Sequence, residues 1–197
     1  YDALAIPPAY ERVWISPDPD SHVLAIGSDA RGRLQYAYHP RWIAATAETK
    51  GIRLSRFSRK IARVRKTMEK DLRSPGITRR RLLATLATLL ETGSIRVGTE
   101  RYVETNGSYG LTTLLHRHVK VDGSSISFDF VGKEGIPHRF EIENSEAAAV
   151  VGELLRQPGP KLFEYVDESG ALRGFTARDV TDYLEEISGG ERFTAKD

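Results

Sequence analysis

Charge is divided along this chain rather than mixed, and that division limits what the chain can fold into. From the start to Arg81 there are 17 Lys and Arg against 8 Asp and Glu; from Leu82 onward there are 12 against 19. The formal net charge of +2 hides both halves. The densest stretch runs from Lys50 to Arg81, with 13 basic residues and two acidic ones, Glu69 and Asp71. Like charges at that density repel one another in a compact monomer unless something anionic lies against them. A nucleic acid meets that need, because each phosphate neutralised releases counterions and adds affinity. The alternative is a solvated basic helix face. With 40% apolar residues in 197, the chain can still bury a core, as one large domain or two small ones. It has no cysteine, which removes disulfides, thiolate metal sites and thiol nucleophiles. No run approaches the ~18 apolar residues of a membrane-spanning helix, and Tyr1 to Trp14 lacks the layout of a secretory signal. The expectation is a soluble intracellular protein.

The first forty residues read as β structure. Val13-Trp14-Ile15, His22 to Gly27 and Leu34 to Tyr38 are short β-prone runs, parted by the turn formers of Ser16 to Asp20 and Ser28 to Arg33. Pro40 then suits a first helical turn. Gly51 interrupts, after which Ile52, Leu54, Phe57, Ile61, Val64 and Met68 follow a mostly helical period with basic residues between them. Ser74-Pro75-Gly76 breaks this helix and marks the best domain boundary. Thr78 can cap the next helix, whose stripe of Leu82, Leu83, Leu86, Leu89 and Leu90 ends at Gly93. Asn106-Gly107 is a turn after a short helix. His118 to Val121, the alternating Ile126, Phe128 and Phe130, and Pro137 to Glu143 read as three strands, joined at Asp122-Gly123 and at Gly132 to Gly135. Helices over roughly 146–156 and 176–187 follow, with a turn at Asp167 to Gly170 between them. Thr194 and Asp197 have the spacing of a capping box, so the sequence looks cut as a helix opens.

The usual enzyme signatures are missing. There is no GxxxxGK[ST], GxSxG, HExxH or Cys/His cluster. His116 and His118 alternate and could share a strand face, where phosphate contact or plain surface suits them better than metal. Arg96 is anchored between Ile95 and Val97, so its guanidinium either grips a phosphate in two parallel hydrogen bonds or pairs with a carboxylate. Lys133, at a hairpin tip, is either an ordinary surface lysine or an ammonium pushed into a groove. Tyr36 and Tyr38, among Arg31, Arg33, His39 and Arg41, would make a nucleic-acid platform; packing of one tyrosine into the core is the alternative.

Longer strings are specific. Gly27 to Trp42, with Ile6 to Tyr10 and Val13 to Ile15 ahead of it, resembles the amino-terminal region of type IB DNA topoisomerases of the bacterial and poxvirus-like branch. The resemblance continues in Ile95 to Tyr102, Asn106 to Leu114, Phe130 to Glu134 and Phe193 to Asp197, so it spans nearly the whole chain in order. It implies an α+β fold. A small antiparallel β-rich domain (1–73) is joined to a mostly helical catalytic domain (77–197) that carries a three-stranded hairpin region, and the two clamp duplex DNA. It also implies a tyrosine that becomes linked to a 3′ phosphate while the other end rotates, with no cofactor, ATP or metal. Arg96 matches the first catalytic arginine, which stabilises charge on the non-bridging oxygens. Lys133 matches the hairpin lysine that protonates the leaving 5′ oxygen. Gln35, Tyr36 and Tyr38 match strand positions facing the major groove, and Arg31, Arg33, His39, Arg41, Tyr102 and Lys196 fall in the motifs as DNA contacts.

The chain departs from the family in one respect. The second arginine, a histidine and the nucleophilic tyrosine belong to the family's part beyond Asp197, and none of the eight tyrosines here has a matching context. The chain is therefore expected to bind double-stranded DNA without cleaving it, as a piece of a longer monomeric enzyme needing no protein partner, in the cytoplasm and at the nucleoid if bacterial. A tyrosine recombinase is a related alternative, against which the GRLQYAYH string speaks. A non-catalytic DNA-binding module is the other, against which retention of both Arg96 and Lys133 speaks.

Overall fold

The computed structural model describes residues 4–93 and 95–194, so Lys196 and Asp197 lie outside the described residues. The fold is α+β, and the chain divides into two compact units, 1–56 and 57–197.

In the first unit, β1 (Glu11–Ile15), β2 (Val23–Ser28) and β3 (Leu34–Tyr38) form an antiparallel sheet in that order. The β2–β3 turn is built by one side chain. Asp29 accepts hydrogen bonds from the backbone N–H groups of Arg31 and Arg33, both at 2.9 Å, and Gly32 takes the left-handed conformation at φ 72°. Trp14 pairs with Ile26 and Ile26 with Tyr36, which puts those three side chains on one face. The unit ends in the first part of α1 (Pro40–Leu72), which continues into the second unit.

The expected break at Gly51 is absent, because α1 runs through it without interruption. One interior glycine costs only ~1 kcal/mol. From Phe57 the helix has a packed face: Val64, Met68 and Leu72 are buried, and Phe57 meets Phe193 edge to face at 4.8 Å. Ser74-Pro75-Gly76 then separates α1 from α2 (Arg79–Gly93) and marks a helix–helix turn; the compact units part earlier, between Arg56 and Phe57. Thr78 accepts from the N–H of Arg81, as its position at the head of α2 predicts.

The apolar face of α2, with Leu82, Leu86 and Leu89 fully buried, is the centre of the second unit. Around it lie the sheet of β4 (Val119–Asp122), β5 (Ser125–Val131) and β6 (Pro137–Glu143), and the helices α4 (Ser145–Leu154) and α5 (Ala177–Ser188). The short α3 (Glu100–Asn106) ends on Gly107 in the left-handed conformation. Thr176 and Asp179 form a reciprocal capping box at the head of α5. Two strands flank the Asp167 turn, β7 (Glu164–Val166) and β8 (Leu172–Gly174). At three residues each they are too short for alternation to announce them.

Candidate functional site

One segment gathers the selected residues of the second unit. From Gly107 to Thr113 the chain runs between three elements and bonds to each. The N–H of Ser108 reaches the carbonyl of Tyr102 on α3 at 3.2 Å; that of Tyr109 reaches Val131, the end of β5, at 2.8 Å. The N–H of Leu111 reaches the carbonyl of Arg96 at 2.8 Å, and that of Thr112 reaches Val97 at 2.7 Å. Gly110 makes this possible. A Cβ added there would lie 2.5 Å from the backbone of Gly98 and 2.7 Å from the carbonyl of Arg96, so only glycine lets the two strands of chain cross. From the N–H of Tyr109 to that of Leu111 the chain advances two residues, at most ~7 Å. The backbones of Arg96 and of Val131, two residues before Lys133, are therefore tied to opposite ends of one short bridge.

The two cations differ in how they are held. Arg96 has a fixed backbone, and its exposed guanidinium meets no carboxylate among the described residues. Among the described residues, then, no ion pair realises the Arg–carboxylate alternative. Lys133 opens a single 3-10 turn, Lys133–Gly135, between β5 and β6, in which Glu134 is held left-handed at φ 67°. Its side chain is 59% exposed, and its ammonium lies 3.6 Å from the neighbouring Glu134 carboxylate. An exposed pair at that range contributes little, so the ammonium is available to an incoming anion.

The histidines depart from expectation. Residues 116–118 form a 3-10 turn rather than a strand. His118 turns inward, accepts the N–H of Leu115 at Nδ1 (3.1 Å) and packs edge-on against Tyr109 at 4.4 Å. Burial, with the nearby Arg117 charge, holds its pKa below the usual histidine value, so it is a neutral core residue. Among the described residues no group of three or more His, Asp or Glu could hold a metal ion, and no helix is long and apolar enough to cross a membrane.

In the first unit, Asp29 organises the predicted cluster. Its carboxylate also accepts from Nε of Arg33 at 2.8 Å and from Nε2 of Gln35 at 3.0 Å. The Arg33 N–H, followed by its guanidinium, the Arg31 N–H and Gln35, draws the Asp29 pKa down to about 2. Gln35 thus points to the sheet face opposite Tyr36 and Tyr38, which the structure does bring together: they are exposed and stacked at 6.0 Å. His39 accepts the N–H of Arg41 at Nδ1 (3.0 Å), capping α1. Arg41 is open to solvent, 3.9 Å from Asp20. Tyr102, 57% exposed, stands on α3.

The basic block is less bare than its composition suggests. Six of its cations pair with carboxylates of the acidic half: Lys60 with Glu191, Arg65 with Glu91, Arg73 with Glu146, Arg79 with Asp179, Arg80 with Glu186 and Arg81 with Glu153. Much of the anion this block calls for is its own chain. Arg56, Arg63 and Lys66 are exposed and have no such partner among the described residues. Asp71, one of the two acids inside the block, takes a hydrogen bond from the Tyr183 hydroxyl at 3.0 Å and from Arg80 at 2.8 Å. Burial, then the Asp71 charge, pushes the Tyr183 phenol well above its ordinary value. A buried phenol committed as a donor is no nucleophile.

Residues 44–197 match the family described as eukaryotic DNA topoisomerase I, catalytic core, and residues 1–29 match bacterial DNA topoisomerase IB, N-terminal domain. The chain belongs to the type IB DNA topoisomerase family. It is 34% identical over 198 residues to DNA topoisomerase 1B of Acanthamoeba polyphaga mimivirus, covering 98% of this chain and 59% of that protein. To DNA topoisomerase 1B of Vaccinia virus (strain Copenhagen) it is 25% identical over 136 residues, covering 69% of this chain and 43% of that protein. DNA topoisomerase I of Monkeypox virus is 26% identical over the same shares. This family member thus spans between two fifths and three fifths of the length of these relatives.

Proposed function

We propose that this chain is the DNA-binding and phosphate-engaging part of a type IB topoisomerase, which relaxes supercoiled duplex DNA through a transient break in one strand, without ATP or metal. A tyrosine oxygen attacks the phosphorus, the bond to the 5′ oxygen breaks, and a 3′-phosphotyrosyl link forms. The free 5′ end rotates and then attacks the link to reseal the strand. Arg96 binds the non-bridging oxygens, whose negative charge grows as the phosphorus becomes five-coordinate. Lys133 gives its proton to the departing 5′ oxygen, which would otherwise leave as a poor alkoxide. The nucleophile lies in the portion of the relatives that this chain does not cover, so the chain alone binds DNA and leaves it intact.

The observation that carries this reading is the bridge from Arg96 through Tyr109–Leu111 to Val131. An arginine with a fixed backbone and the strand end two residues before Lys133 are tied to the same three residues, and neither cation's side chain is committed to the chain's interior. In the first unit, the exposed Tyr36–Tyr38 stack with Arg31, His39 and Arg41 supplies a DNA-facing surface. Along α1, Arg56 at the end of the first unit and Arg63 and Lys66 in the second supply sequence-independent phosphate contact. Boundaries at 1–73 and 77–197 keep the basic helix with the DNA-binding part.

Plasmid relaxation by the full-length protein in EDTA without ATP tests the proposal. Relaxation is expected, with loss on Lys133→Ala while DNA affinity stays within a few-fold. No relaxation by the intact protein would leave a DNA-binding module. Collapse of affinity in Lys133→Ala would make Lys133 a binding residue.

A further inference from the structure

We propose that His138 is a positioning residue for Lys133, acting through the backbone of Gly132. The inference rests on the reading of Lys133 as the proton donor. His138, Phe140 and Ile142 alternate along β6 and share the core-facing side of the sheet, so an apolar residue is expected at 138. A half-buried histidine stands there instead. It pairs across the strands with Phe130, and the two rings stack at 5.1 Å with 8° between their planes.

The edge of that ring lies on Gly132. A Cβ built on Gly132 would sit 2.5 Å from both Cδ2 and Nε2 of His138, closer than real Cβ atoms come to anything. Gly132 has an ordinary extended conformation, φ −96°, so its glycine is required by the imidazole and not by the backbone angle. The residue so held closes the turn. Its N–H bonds the carbonyl of Ile136 at 2.8 Å and its carbonyl takes the N–H of Gly135 at 3.2 Å, with Lys133 next in line. The rest of the turn is exposed and includes the left-handed Glu134, and the carbonyl of Lys133 takes the N–H of Ile136 at a long 3.4 Å, so buried Gly132 is the anchor from which the lysine leaves the sheet.

The imidazole also ends an aromatic column. Tyr109 packs on His118 at 4.4 Å, His118 on Phe130 at 6.4 Å, and Phe130 on His138. Tyr109 belongs to the segment that holds the carbonyl of Arg96. Both cations are thereby referenced to one stack of rings, and the His138 end sets the lysine. A shift of about 1 Å in a proton donor is enough to cost on the order of 100-fold in rate.

The test uses the full-length protein in single-turnover cleavage of two duplexes, one with an ordinary phosphodiester and one with sulfur in place of the bridging 5′ oxygen. A thiolate leaves without a proton, so a defect in proton delivery vanishes on the sulfur substrate and a general defect does not. His138→Ala is expected to slow the ordinary substrate by roughly 10- to 100-fold and to cleave the sulfur substrate at close to the wild-type rate, with unchanged DNA affinity. Gly132→Ala attacks the same contact from the exposed turn and should show the same pattern. The double variant should be no slower than His138→Ala, because the ring it would strike is gone. If His138→Ala does not fold, Gly132→Ala decides. Equal slowing on both substrates, or no slowing, overturns the inference. A Lys133→Ala defect that sulfur fails to rescue overturns the acid reading itself, and the His138 assignment with it.

Discussion

Two arginines of the second unit, fifteen positions apart, show how the molecule sorts its cations. Arg81 is buried. Its guanidinium donates to the carbonyls of Leu72 and Gly76 and grips both oxygens of Glu153, so it closes the end of α1 and ties the α1–α2 turn to α4. Arg96 has an equally fixed backbone and an exposed side chain that meets no acid among the described residues. Arg81 is answered by a carboxylate of its own chain, whereas Arg96 meets none among the described residues. Net charge cannot tell the two apart; partners can.

The largest effect expected from breaking that contrast is catalytic. Lys133→Ala in the full-length protein should lower the single-turnover cleavage rate by about 100-fold or more, the ordinary worth of a general acid, and leave the melting temperature unchanged. Arg81→Ala should do the reverse. Removing one partner of a buried, fully bonded pair costs about 3 kcal/mol, visible as a lower denaturant midpoint, with affinity for DNA per folded molecule preserved. A catalytic defect in Arg81→Ala without loss of stability would erase the distinction.

The basic helix sharpens the comparison at lower amplitude. Replacing Arg56, Arg63 and Lys66 together by Ala should reduce the slope of log affinity against log salt by roughly 2 to 3, since each phosphate contact carries about 0.9. The same triple change at Arg65, Arg73 and Arg79, which already face carboxylates, should move the slope by less than 1. Equal changes in both sets would mean that internal pairing does not decide which cations reach DNA.

The smallest effect is a pH response in the first unit. Asp29 titrates at about 2 in the fold against an ordinary 3.8, so the stabilisation it gives the β2–β3 turn is complete above about pH 4 and is lost as pH falls toward 2. Backbone amide signals of Arg31 and Arg33, followed by NMR, should shift in that window. Asp29→Asn should flatten the shift. A midpoint near 4 would show the turn bonds to be weaker than their geometry indicates.

Much of this was legible in the sequence. Asp-Gly at 122–123, the alternation through Ile126, Phe128 and Phe130, and Thr78 ahead of a leucine stripe each specify local geometry, and each element appears where those signals put it. Arg96 and Lys133 could be singled out by their strings. That Gly107–Thr113 joins them could not, because the link is a set of backbone bonds between segments distant in sequence and carries no residue-type signature beyond Gly98 and Gly110. Gly51 misled because a glycine inside a helix costs less than its neighbours contribute. The histidines at 116 and 118 misled because alternate spacing also fits a tight turn. The pairing of the basic block was hidden for a simpler reason: the acids that answer it lie up to a hundred residues or more away in the sequence, so no local window contains both partners.

The central claim is that Arg96 and Lys133 address one phosphodiester. A crystal structure of this chain with a short duplex tests it most directly. The guanidinium of Arg96 and the ammonium of Lys133 should each lie about 3 Å from oxygens of the same phosphate. Finding them on different phosphates, or turned away from the duplex, would contradict it.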